Sequence, residues 1–136
     1  MGNTKPIGVA YLDQDISGSD LILANGQLGY TTAAQGTVTQ ATSKSTAVTL
    51  NKSAGQITMN NAALAGNTAV SFTLNNSFIS SNDIVITNIS AGGTSGAYTT
   101  YVSSMTTGSA VITLRNLTAS SLSEAVVINF ALIHCQ

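Results

Sequence analysis

Apolar and polar residues alternate through TAVSFTLN (68–75), with Val70, Phe72 and Leu74 on one side and Ser71 and Thr73 on the other. Successive side chains of a strand point to opposite faces, so this is the pattern of a half-buried β-strand. Comparable runs predict strands near 37–41, 46–50, 55–59, 84–89, 97–104, 109–114 and 125–133. Gly/Asn/Ser clusters separate several of them, as in AGN (65–67), NNSFISSN (75–82) and SAGGTSG (90–96). Only NNAALAG (60–66) could form a helical turn, and no internal repeat is visible. About eight short strands at this spacing predict an all-β fold, an antiparallel β-sandwich or jelly roll, over residues 31–136. Val70, Phe72, Leu74, Phe130 and one of Val111 or Ile112 are expected in its core.

The last predicted strand is apolar on both sides, and so is the DIVITNI run (83–89). Val126, Ile128, Phe130 and Leu132 share one face, and Val127, Asn129, Ala131 and Ile133 share the other. Strands buried on both faces normally belong to sheets covered by helices, and no helices are available here. A partner subunit against Val127, Asn129, Ala131 and Ile133 is the expected cover; a loop folded over that face is the alternative.

Residues 1–30 differ from the rest. They hold the only Pro and three of the five acids, Asp13, Asp15 and Asp20. This composition suggests an extended N-terminal arm. Such a segment carries too little apolar area to fold alone and should order on a partner surface. Pro6, Ile7, Val9, Tyr11, Leu12, Asp13 and Asp15 are the expected contact residues of the arm, with Tyr11 and Tyr30 as aromatic anchors.

Composition then narrows the choice of partner. A single domain fits 136 residues. Charged residues are 7%, against about 25% in ordinary soluble domains, and the net charge is −1. Within residues 36–59 the only charges are Lys44 and Lys52. A hydrophobic fraction of 43% separates the chain from disordered polar tracts, and near-zero charge favours association. Four Lys plus Arg, scattered along the chain, cannot make a phosphate-neutralising stripe, so nucleic acid is not an expected partner. No window reaches the length of a membrane-spanning helix. The N-terminus lacks the basic and apolar regions of a signal peptide, and Pro6 occupies the Ser/Thr position of a myristoylation site.

Candidate chemistry is sparse. DQDISG (13–18) matches the opening of a calcium loop, yet the twelfth position, which requires a bidentate Glu, is Ala24. A polar turn or an anchoring arm is the competing reading, and no metal or cofactor is assigned. His134 adjoins the lone Cys135, but neighbours on a strand face opposite ways and cannot form a nucleophile pair. Cys135 is expected as a small buried hydrophobe and His134 as a terminal surface or interface residue. Glu124 and Asp83 stand apart in sequence, and AGGTSG (91–96) lacks the following Lys and helix of a phosphate cradle. No catalytic residues are expected. The N-x-[ST] triplets at Asn75, Asn88 and Asn116 read as chance matches in an Asn/Ser/Thr-rich chain.

Three long stretches carry a family resemblance: GTVTQATSKSTAVTLNKSAGQITMNNAAL, VSFTLNNSFISSNDIVITNISAGGTSGAY, and ITLRNL followed by LSEAVVINFALI. Together they cover roughly residues 30–133 and resemble a family of tailed-bacteriophage virion surface proteins. TKPIGVAYLDQDISG (4–18) is similar to the start of its stand-alone members. The resemblance implies a virion component without catalytic residues, and two roles follow from it. One is a capsid decoration (cement) protein, a homotrimer on the outside of the head whose arm lies on the major capsid protein. The other is the receptor-binding knob or tip of a fibre. The chain shows no shaft, heptads or collagen-like repeat, which favours decoration.

Overall fold

The computed structural model describes residues 21–24 and 27–135. Ten strands and one short 3-10 turn follow one another: β1 (Leu21–Ala24), β2 (Gln27–Tyr30), the turn Thr32–Ala34, β3 (Gln35–Thr39), β4 (Val48–Thr49), β5 (Ala54–Thr58), β6 (Ala69–Asn75), β7 (Ile84–Ala91), β8 (Tyr98–Thr106), β9 (Ser109–Asn116) and β10 (Val127–Ile133). Each of the eight stretches read as strands from their alternation coincides with one of β3 to β10. The fold is all-β, in two four-stranded sheets ordered β3-β5-β10-β7 and β4-β6-β9-β8, with β1 and β2 paired separately.

The expectation of purely antiparallel sheets needs correction. β3 pairs with β5, and β4 with β6, in parallel, so both sheets are mixed. Chain order explains this. From β3 to β6 successive strands alternate between the two sheets. Two strands of one sheet are therefore separated by a strand of the other, and return in the same direction. The remaining pairs are antiparallel. β8 and β9 are joined by Thr107 and Gly108, and Gly108 supplies the positive φ (85°) that such a tight turn requires.

One core lies between the sheets. β5 and β10 contribute Ile57, Ile128, Phe130 and Leu132, while β6 and β9 contribute Phe72, Leu74, Ala110, Ile112 and Leu114. Of the expected core residues, Phe72, Leu74, Ile112 and Phe130 are buried and Val70 is half-buried. Ile112 rather than Val111 faces inward.

The two lysines of residues 36–59 fasten connections rather than meet acids. Lys44, only 3% exposed, donates from Nζ to Asn60 O and Glu124 O, both at 2.6 Å. Burial pushes its pKa down, opposed by the Glu124 charge. Gln40 closes the same β3–β4 connection, donating to Lys44 O (3.0 Å) and Thr46 O (2.8 Å) and accepting from Asn60 N (3.1 Å). Lys52 donates to Ala33 O at 2.7 Å. Asn76 and Asn116, both fully buried, donate to backbone carbonyls in the same way and also accept through their amide oxygens. Asn116 donates to Leu64 O and Ser120 O and accepts from Thr118, satisfying a loop that would otherwise leave buried backbone unpaired.

Residues 21–24 and 27–30, within the segment expected to be an extended arm, instead pair as the antiparallel strands β1 and β2. The Tyr30 hydroxyl hydrogen-bonds Leu132 O near the end of β10. The expected capsid-contacting residues Pro6, Ile7, Val9, Tyr11, Leu12, Asp13 and Asp15 lie outside the described residues, as does the DQDISG stretch.

Candidate subunit interface

The side of β10 expected to meet a partner faces away from the core. Ile128, Phe130 and Leu132 are buried, whereas Val127, Asn129 and Ala131 are half-buried and Ile133 is exposed. Register extends this side across the sheet. Ile133 lies opposite Ile84, and Ala131 lies between Ile86 and Ala54. Asn129 lies between Asn88 and Gln56, and Gln56 is opposite Thr37. The result is an outer face in two zones. The apolar zone has Ile84, Ile86 and Ile133 exposed by 52%, 51% and 45%. The polar zone is a row of amides and hydroxyls, Thr37, Gln56, Asn129 and Asn88.

Among the described residues no Asp, Glu, Lys or Arg stands on this face. A groove of about 480 Å³ runs along the polar zone, bounded by Gln35, Thr37, Gln56 and Asn129 with the backbone of Gly36 and Gly55 beneath. Asn129 Oδ1 is buried and has no hydrogen-bond partner among the described residues. Among native buried polar atoms that is uncommon and calls for an explanation. The loop cover offered by the sequence as an alternative is not found among the described residues.

No protein-family model, curated protein or solved structure matches this chain.

The remaining candidate chemistry resolves into structural fastenings. Asp83 and His134, unremarkable in sequence, come together at the end of the β7–β10 ladder: His134 Nδ1 is 2.9 Å from Asp83 Oδ2. The carboxylate also accepts from Ser80 N (2.8 Å), Ser80 Oγ (2.7 Å) and Cys135 N (3.2 Å). These bonds, led by that from the Ser80 backbone, hold the Asp83 carboxyl down to about 2. Ser80 bonds the carboxylate, not the imidazole, and among the described residues no hydroxyl or thiol hydrogen-bonds His134 Nε2. The order of a nucleophile–base–acid relay is therefore not formed. Cys135, expected as a buried residue, is half-buried and unpaired.

The glycine-rich loop 91–96 is held by Glu124, which accepts from Thr94 Oγ1 (2.7 Å) and Thr94 N (3.2 Å). The Thr94 hydroxyl, the nearby Tyr98 phenol and the Thr94 backbone together lower the Glu124 pKa. Gly92 (φ 76°) is obligatory here, because an added Cβ would collide with Ala125 O. Among the described residues no group of three or more His, Cys, Asp or Glu could hold a metal ion. Of the three N-x-[ST] triplets, the one at Asn116 is closed to modification because its side chain is buried and bonded on both ends.

Sequence reading missed the Asp83–His134 fastening, whose partners are 51 residues apart. Ile84 and Ile86 belong to DIVITNI (83–89), which the sequence already shows to be apolar on both faces. That run was the signal, and pairing with β10 is what joins it to the same surface.

Proposed function

We propose that this chain is a structural protein of a tailed-bacteriophage virion, a capsid decoration (cement) protein that forms a homotrimer on the outside of the head and braces the shell. The observation that carries the reading is the outer face of the β3-β5-β10-β7 sheet: free of charge, apolar at one end, and holding an unpaired buried amide oxygen. Such a face suits a second uncharged surface better than water, and Asn129 Oδ1 gains a donor when a neighbour covers it. The two sheets are read as the layers of a β-sandwich; their parallel β3–β5 and β4–β6 pairs weigh against a jelly roll.

The mechanism is mechanical, without enzyme activity or cofactor. Residues 1–20 attach to the major capsid protein through Pro6, Ile7, Val9, Tyr11 and Leu12, with Asp13 and Asp15 meeting basic or amide groups. Three arms on one trimer make weak single attachments strong together, because each bound arm raises the effective concentration of the others. A trimer that spans neighbouring capsomers then resists their separation.

The test uses undecorated heads. The full chain should co-sediment with them, and a variant lacking residues 1–20 should remain a trimer but not bind. Normal binding by the truncated variant would refute the arm's role. If the full chain instead binds bacterial cells and blocks phage adsorption, the receptor-binding knob replaces the cement reading.

A further inference from the structure

The β1–β2 hairpin stands apart from both sheets, and a lone two-stranded hairpin is marginal in water without a surface to pack on. Its register pairs Leu21 with Tyr30 and Leu23 with Leu28. Leu28 is nevertheless 75% exposed. From Leu21 to Tyr30 the sequence, LILANGQLGY, contains no charged residue.

The hairpin is tied at its base to Leu132 O, beside the apolar zone formed by Ile84, Ile86, Ala131 and Ile133. Within one chain the two surfaces leave each other open: Leu28 stays exposed, and Ile84 and Ile86 are each about half exposed (52% and 51%). An uncharged hairpin with an exposed Leu28 and an uncharged, half-exposed apolar face thus coexist on one subunit.

We propose that the β1–β2 hairpin of each subunit packs on the Ile84/Ile86/Ala131/Ile133 zone of a second copy of this chain. This rests on the homo-oligomer reading above and specifies its contact. Projection and face are different surfaces, so the contact is head-to-tail, the kind that closes into a ring when the rotation per subunit permits. A trimer is such a ring. Neither surface carries charge, so apolar burial drives the contact, and ionic strength changes it little.

Site-specific crosslinking tests this in the full chain with Cys135→Ser. One population carries Leu28→Cys and another Ile86→Cys; the two are unfolded together, refolded and oxidised. A disulfide-linked heterodimer should form, while the doubly substituted chain should give linked dimers and trimers. A disulfide within one doubly substituted chain would mean the hairpin seats on its own subunit and would overturn the proposal. A trimer by sedimentation with no crosslink, repeated with Ile84→Cys, would overturn the hairpin contact and leave the homo-oligomer reading standing. A monomer would overturn both.

Discussion

Replacing Lys44 with Met tests whether a nearly charge-free chain uses its few ions as internal fasteners. Met keeps the apolar stem but removes three N–H donors. In the native protein Nζ makes two 2.6 Å bonds to Asn60 O and Glu124 O, drawing the β3–β4 connection onto two distant loops. Hydrogen bonds involving a charged group contribute about 1.5–3 kcal/mol each, so the pair represents about 3–6 kcal/mol. The burial that lowers the Lys44 pKa works against this sum, because desolvating the ammonium costs free energy. A net loss of about 2–4 kcal/mol is expected. With a urea m-value of about 1–3 kcal/mol/M, equilibrium unfolding should show the midpoint falling by roughly 0.7–4 M. Lys52→Met provides the comparison: its bond to Ala33 O is exposed, so its loss should cost less than about 1 kcal/mol. Equal small effects from both substitutions would refute the argument, as would a stabilised Lys44→Met.

Other outcomes follow from the same geometry. Phe72→Ala should cost about 3–5 kcal/mol in urea unfolding, since the ring is buried in the shared core; a loss below about 1 kcal/mol would contradict that burial. Asp83 is lowered from 3.8 to about 2, and Glu124 is lowered from 4.5. For both groups the unfolded state binds more protons than the native state between those limits. Stability should therefore be fully present above about pH 5 and decline as pH falls towards 2, and Asp83→Asn should flatten that decline. Ile86→Ser removes an apolar group half exposed in one subunit; half of the usual 1.5–3 kcal/mol for burying such a side chain is about 1 kcal/mol per contact. Sedimentation equilibrium should show weaker association with the monomer fold unchanged, and wild-type association should persist in high salt.

The strands were legible because each of β3 to β10 alternates or runs apolar between Gly/Asn/Ser breaks, a local signal that needs no partner. Sheet membership was not legible. Nothing in GTVTQ or AGQIT reveals that β3 and β5 run parallel, because that follows from β4 lying in the other sheet. The β1–β2 hairpin escaped notice although LILANGQLGY carries Asn-Gly, the pair favoured in two-residue hairpin turns. The Asp-rich start of the segment carries the composition of an arm and masks that local turn signal. The apolar strands of the candidate interface were readable from the two-sided apolar character of 125–133 and of DIVITNI. Ile84 and Ile86 joined it only once pairing with β10 was known.

The most direct measurement is an electron cryomicroscopy reconstruction of undecorated heads incubated with the full chain. The account predicts trimeric density on the outer shell, with the β3-β5-β10-β7 face at the contacts between subunits and the N-terminal residues running onto the capsid surface. Bare heads at saturating protein, or density found only at a fibre tip, would contradict it.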